Sequence, residues 1–309
     1  MLYTGALLAE IHTFVEAYLV PLQLALAMLG MGAVLSPADF TGIARDPRGL
    51  VLGLLLQVVV VPLIALGFTR FFGMSKGWAV GLLLVSAVPG GAFSNLLTFL
   101  GRGNTPLSIS MTVTATLGCI ATVPLVLRLT AESYMPPDFV FPAQRIVIEI
   151  FAYLLVPLAL GMVIYRNLPK LAPRLSRWAI RGSLLLIILI TISALGSGRI
   201  KVLEYGATPP LLILLFGVAI ATLVPLACRA ARRYDDDTVA IGIEVTVRNV
   251  AVALLMVRFF FPGTAANGHV LYTCLFYAGV SGFFAVPLVL LHRFGRSPVW
   301  FLPPRRRIQ

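Results

Sequence analysis

Nine stretches of about 20 apolar residues recur along the chain, each long enough to cross the ~30 Å hydrocarbon layer of a bilayer as a helix. They lie near residues 17–35, 50–69, 78–100, 105–127, 146–165, 182–198, 208–228, 238–261 and 269–291. The gaps between them are short, so the helices must pack as neighbours in one bundle. Composition excludes a soluble alternative. A 309-residue chain that is 59% hydrophobic and only 12% charged cannot hide its apolar surface from water. The expected fold class is an all-α polytopic membrane protein. Residues 1–16, with Glu10 and Glu16, are expected to form a surface helix; residues 17–292 form one transmembrane domain, and 293–309 a basic tail.

The net charge of +12 sits mainly in the gaps between apolar runs. Sixteen lysines and arginines fall on one side of the bundle, including Arg166, Lys170, Arg174, Arg177, Arg181 and the tail, against six on the other. The positive-inside rule then puts the tail in the cytoplasm and the amino terminus outside, in a plasma (inner) membrane. An odd number of spans agrees. This charge reads as topology and contact with anionic lipid, not as a nucleic-acid surface. Enzyme chemistry is not expected. Cys119, Cys228 and Cys274 have no metal-ligand spacing, and no mid-span aspartate pair or serine–histidine pair is present.

Two of the nine stretches differ from the rest. The third reads WAVGLLLVSAVPGGAFSNLLTFL, with Pro89, Gly90 and Gly91 in mid-run, where proline removes a helix hydrogen bond and the glycines permit unwinding. The eighth reads TVAIGIEVTVRNVAVALLMVRFF and carries Glu244, Thr246, Arg248 and Asn249. An ionised group at a helix centre costs ~2.5–3.5 kcal/mol on insertion scales, so two together require a use. The stretches are five apart in order, as expected of a five-plus-five inverted repeat whose first helix is missing. Both helices are predicted to break, near Gly90–Gly91 and Glu244–Asn249, and to cross at mid-membrane.

Beyond the first break, a half-helix beginning near Ala92 would aim its free N–H groups and positive dipole end at a cavity, making Ala92 and Phe93 candidate anion-binding positions. Ser94 and Asn95 follow with oxygen ligands. Ser108 and Thr112, four apart, share one face of the fourth span. Gln57 lies in the middle of the second. Each has a structural alternative, such as a hydrogen bond to its own backbone or to a neighbouring helix. Glu244 is the one carboxylate that could gather them. A carboxylate with neutral oxygens suits a hard monovalent cation such as sodium, and no sulfur or imidazole joins the set.

The segments GMGAVLSPADF, Gln57 before VVVVPL, VPGGAFSN, LSISMTVTATL and IGIEVTVRN together resemble the bile acid:sodium symporter (BASS) family, in order and spacing, from about Leu29 to Ser281. The resemblance implies an inverted-repeat transporter with two crossing discontinuous helices. It implies a panel of spans 17–35, 146–165 and 182–198, and a core of residues 50–127 and 208–291. It also implies a first sodium site of Ser94, Asn95, Ser108, Thr112 and Glu244. For the second sodium site it implies Gln57, Glu244, the carbonyls of Val245 and Val247, and a glutamine four residues after the glutamate. Asn249 matches an asparagine on the substrate side.

The final ligand of the second site departs from the family pattern, being Arg248. Its guanidinium has five donors and no acceptor, so it cannot ligate sodium. At helical i, i+4 spacing it is expected to pair with Glu244, bond to Gln57 and fill the site as a fixed cation; a second role would be to meet the substrate's acid group. The expected function is secondary active transport of a small or amphipathic organic anion with at most one sodium ion, by a monomer. The alternative is a sodium-independent uniporter or exporter in which Arg248 replaces the coupling cation. The topology predicts that cysteine introduced as Gly103→Cys labels from the cytoplasm and as Ala266→Cys from outside. Labelling of both from one face would overturn the orientation.

Overall fold

The computed structural model describes residues 14–36, 47–131, 143–197, 202–231, 236–260 and 267–294. Most of the surface helix expected over 1–16 and of the basic tail over 293–309 lies outside these residues. Apart from one isolated bridge, the described residues are helical, with no strand. The helices are α1 (Val20–Gly32), α2 (Arg48–Phe71), α3 (Lys76–Ala87), α4 (Ala92–Leu100), α5 (Thr105–Ala131), α6 (Val156–Asn167, continuing from Ala143–Ile150), α7 (Ala172–Gly196), α8 (Thr208–Ala230), α9 (Asp236–Thr246), α10 (Val250–Phe260) and α11 (Asn267–Phe294).

Six helices are long and apolar enough to span a bilayer: Arg48–Phe71, Thr105–Ala131, Val147–Asn167, Ala172–Gly196, Thr208–Ala230 and Gly268–Leu290. The other three expected spans take different forms. The first is the shorter apolar helix Ala17–Gly32, and the third and eighth are each divided in two, so neither half reaches spanning length. One helix extends beyond its expected apolar stretch. The helix that contains the stretch 182–198 starts at Ala172 and carries Arg174, Arg177 and Arg181. Trp178 remains exposed there, with the Arg181 guanidinium 5.6 Å from its ring centre.

Proline shapes three of the helices in one way. A five-residue π-helical turn precedes three of the Val-Pro pairs, over Val15–Leu19, Leu56–Val60 and Phe151–Leu155, whereas Pro124, Pro225 and Pro287 lie within helices that stay α. In each of the three, the valine N–H bonds to the carbonyl five residues back. The following Pro21, Pro62 or Pro157 has no N–H, and its ring crowds the carbonyl four residues back, a clash that the wider turn relieves.

Packing sorts the helices into two groups. α1 lies against α6 and α7, closely enough that a methyl group on Gly161 would sit 2.5 Å from the Leu29 carbonyl oxygen. Around the two breaks, α3 packs on α11, α9 on α8, and both α4 and α5 on α9. Most of α3 is buried, as is α9 from Thr238 to Thr246, whereas the continuous helices keep apolar faces outward: Leu63, Leu125, Ile188 and Leu226 are all exposed. Apolar side chains facing outward on long helices are what contact with lipid requires.

Candidate functional site

The site is built where the two breaks meet. α3 ends because Val88 turns extended (φ −75°, ψ 151°) ahead of Pro89, and the chain stays extended through Gly91 before α4 begins. α9 stops at Thr246 and α10 starts at Val250. Each interruption leaves backbone groups without helical partners, and each supplies partners to the other. The Asn249 N–H donates to the Pro89 carbonyl at 2.8 Å, Gly90 and Arg248 pair as an antiparallel bridge, and Arg248 Nη1 donates to the Val88 carbonyl at 3.1 Å. The Tyr277 hydroxyl caps the end of α9 by donating to the Thr246 carbonyl at 2.8 Å. Gly90 must be glycine on space alone. A methyl group there would lie 2.6 Å from the carboxyl carbon of Glu244.

Glu244 is fully buried and sits at the centre of an oxygen cluster. Its Oε2 faces the hydroxyls of Ser94 at 2.5 Å and Ser108 at 3.1 Å, and its Oε1 faces Thr112 at 2.5 Å. Asn95 Oδ1 lies 2.8 Å from the Ser108 hydroxyl and 3.2 Å from that of Thr112. All five residues expected to share a cation are therefore brought together. Two neighbours were not foreseen. Thr98 donates to Ser108 Oγ at 3.2 Å, and the Asn95 amide reaches Met31 Sδ at 3.7 Å. Thr98 lies one helical turn beyond Ser94 in the sequence, a signal that was available.

The hydrogen count in this cluster is informative. Ser94, Ser108 and Thr112 each own one hydroxyl proton. Yet Ser94 also faces the Gly91 carbonyl at 2.5 Å, and Thr112 also faces the Ser108 carbonyl at 3.1 Å. Three protons thus serve seven acceptor contacts, two at Ser94, two at Ser108 and three at Thr112. Such a cluster has a surplus of lone pairs around a buried carboxyl group, a surplus that a cation or a proton on Glu244 would relieve.

In the expected second set, no side-chain hydrogen bond links Gln57, Glu244 and Arg248 among the described residues. Gln57 is buried, and neither of its amide atoms has a hydrogen-bond partner among the described residues. Val245 and Val247 are buried beside Glu244 on the chain. Arg248 corrects the sequence reading. Among the described residues it forms no hydrogen bond or ion pair with Glu244 or Gln57. The i, i+4 spacing that predicted a pair applies only within a continuous helix, and beyond the break after Thr246 the Arg248 guanidinium bonds to the Val88 carbonyl instead. Its Nη2 is buried without a partner.

Arg248 lines a cavity of about 570 Å³ that lies between α1 and α7 on one wall and α4, α11 and residues 247–251 on the other. Phe93, Gly91, Val247 and Asn249 share that wall, and the Asn249 Nδ2 is also buried without a partner. Ala92 begins α4 beside them. Gln23 and Ser183, bonded to each other at 2.8 Å, face the cavity from the opposite wall. Gln23 was legible as a lone polar residue within an apolar run but had no pattern to give it a role.

Sequence comparison adds an independent line. The profile of the sodium bile acid symporter family matches residues 21–203, a stretch that contains Ser94, Asn95, Ser108 and Thr112 and ends before Glu244. The uncharacterized sodium-dependent transporter YocS of Bacillus subtilis is 29% identical over 263 residues, covering 83% of this chain and 78% of the relative. The probable chloroplastic sodium/metabolite cotransporter BASS2 of Oryza sativa subsp. japonica is 28% identical over 269 residues, 86% of this chain and 63% of its own. The sodium-dependent organic anion transporter of Rattus norvegicus is 30% identical over 223 residues, 70% and 58% respectively. The chain thus spans less than two thirds of the rice and rat relatives.

Crowding at Gly90 gives a direct test of the cluster geometry. Gly90→Ala should destabilise the protein by about 1–3 kcal/mol, the usual cost of overpacking. Gly91→Ala, whose methyl would sit at ordinary contact, 3.5 Å from Asn249, should stay within about 0.5 kcal/mol. Thermal unfolding of both variants measures the difference, and equal effects would contradict the packing of Glu244 against Gly90.

Proposed function

The chain belongs to the sodium bile acid symporter family, and on that footing we propose that it is a secondary active transporter of a small or amphipathic organic anion, coupled to at most one sodium ion by alternating access. The observation that carries this reading is the oxygen cluster around Glu244, set beside a cavity lined by Arg248 and Asn249, each of which has a buried side-chain donor without a partner. Ser94, Asn95, Ser108, Thr112 and Glu244 hold sodium; Arg248 and Asn249, with the start of α4 at Ala92–Phe93, hold the anion. A buried guanidinium with a free N–H is suited to a carboxylate.

The nine-helix, inverted-repeat arrangement belongs to the same proposal. Its panel is α1, α6 and α7, and its core is the remaining helices, with the cavity between them. The close packing of α1 on α6 and α7 and the meeting of the two breaks support it. The amino terminus faces outward and the carboxyl terminus the cytoplasm.

The stoichiometry rests on a missing ligand. Arg248 occupies the place where a second site needs an oxygen, faces the cavity, and leaves Gln57 without a partner. The alternative is a sodium-independent carrier in which Arg248 replaces the coupling cation; that no hydrogen bond or ion pair joins Arg248 to Glu244 among the described residues supports the coupled reading. With one sodium per monoanion the cycle is electroneutral. In proteoliposomes, anion uptake should rise with sodium with a Hill coefficient near one and should not respond to membrane potential. Arg248→Gln restores a neutral oxygen and should make uptake steeper in sodium and electrogenic, while lowering anion affinity. Sodium-insensitive uptake would refute the coupling, and a Hill coefficient near two in the unmodified protein the stoichiometry.

A further inference from the structure

The cavity walls are chemically unequal. On the wall formed by the breaks, Arg248 Nη2 and Asn249 Nδ2 are unsatisfied, and both are donors. On the opposite wall, Gln23 is only 5% exposed; its Nε2 donates to Ser183 Oγ, and its Oε1 has no partner. That oxygen is an acceptor. The other hydroxyls lining the cavity are already committed, Thr191 to the Ile187 carbonyl at 2.7 Å and Ser281 to the Ala278 carbonyl at 3.2 Å. A buried acceptor left unpaired is costly, and a carboxylate cannot relieve it, because an ionised carboxylate has only acceptors to offer.

We infer that Gln23 determines specificity for organic anions that carry a hydrogen-bond donor, a hydroxyl or an N–H, at the end remote from the acid group. The inference rests on the proposed anion site at Arg248 and Asn249 and adds the far end of the ligand. The acid group meets the two donors on one wall and the ligand's own donor meets Gln23 Oε1 on the other. Such a ligand bridges α1 and α7 to the break region, whereas an unsubstituted acid contacts the far wall only through apolar groups such as Ile187 and Ile188.

The test uses the purified full chain in sodium-containing buffer and a series of straight-chain monocarboxylates of increasing length. Each acid is supplied unsubstituted, with a terminal hydroxyl, and with a terminal methoxy group. Calorimetric titration should show the hydroxyl tightening binding by about three- to tenfold at the chain length that spans the cavity. The methoxy group, an acceptor without a proton, should give no gain. In Gln23→Met the affinity ratio of the hydroxyl acid to the unsubstituted acid should fall to about one, whatever the change does to both. A hydroxyl gain at no length, an equal gain from methoxy, or a gain that survives in Gln23→Met overturns the inference and leaves the anion site intact. Binding by no acid at all refutes the anion site itself and this inference with it. Should Gln23→Met fail to fold, the comparison of hydroxyl with methoxy on the unmodified chain decides alone.

Discussion

Everything functional here depends on two interrupted helices satisfying one another's backbone. An unpaired N–H or carbonyl in a lipid-like interior costs several kcal/mol, so a single break would be expensive by itself. The Asn249 N–H on the Pro89 carbonyl and the Arg248 side chain on the Val88 carbonyl offset that cost at both breaks at once. The two breaks are therefore one structural unit. Removing either would strand polar groups of the other, which is why proline, paired glycines and a polar run occur in helices that are otherwise as apolar as any in the protein.

That unit also sorts charge. Glu244 lies on the last turns of α9 and Arg248 lies beyond its end, so four residues of sequence separation become two different environments. The carboxylate turns into an enclosed cluster of hydroxyl and amide oxygens, and the guanidinium turns to an open cavity. A continuous helix would have placed them on one face and let them neutralise each other. Breaking the helix separates the two groups, and on the proposed reading one attracts a cation and the other an anion.

The amount legible in the sequence follows from how local each signal is. The apolar runs, the Pro89–Gly91 break and the oxygens of Ser94, Asn95, Ser108 and Thr112 were readable because hydrophobic length, missing N–H groups and helical spacing are properties of short segments. The second break was readable only from its polar residues, since no proline or glycine lies between Ile243 and Val250. Arg248 was misread for a physical reason. Its expected partner came from helical geometry, and that geometry ends two residues before it. The start of α7 at Ala172 was not legible because its arginines lie outside the apolar stretch, where hydrophobic length gives no signal. Gln23 faces Ser183 across 160 positions, a distance at which no local pattern gives a hint.

On the transport reading, coupling follows from how short the chain is between the two binding regions. Phe93 lines the cavity and the next residue, Ser94, donates to Glu244. Val247, Arg248 and Asn249 line the same cavity and continue directly from the helix that carries Glu244. A cation drawn into the cluster would compete with Glu244 for Ser94 and so fix the first turn of α4, which is also where an anion would meet the half-helix. Each ligand would then bind a segment already ordered by the other, and the ordering cost falls once and not twice. No conformational signal has to travel a long path in such an arrangement. The cation and anion regions are two faces of the same pair of chain interruptions, so anything that loosens the bridge between Gly90 and Arg248 must weaken both together.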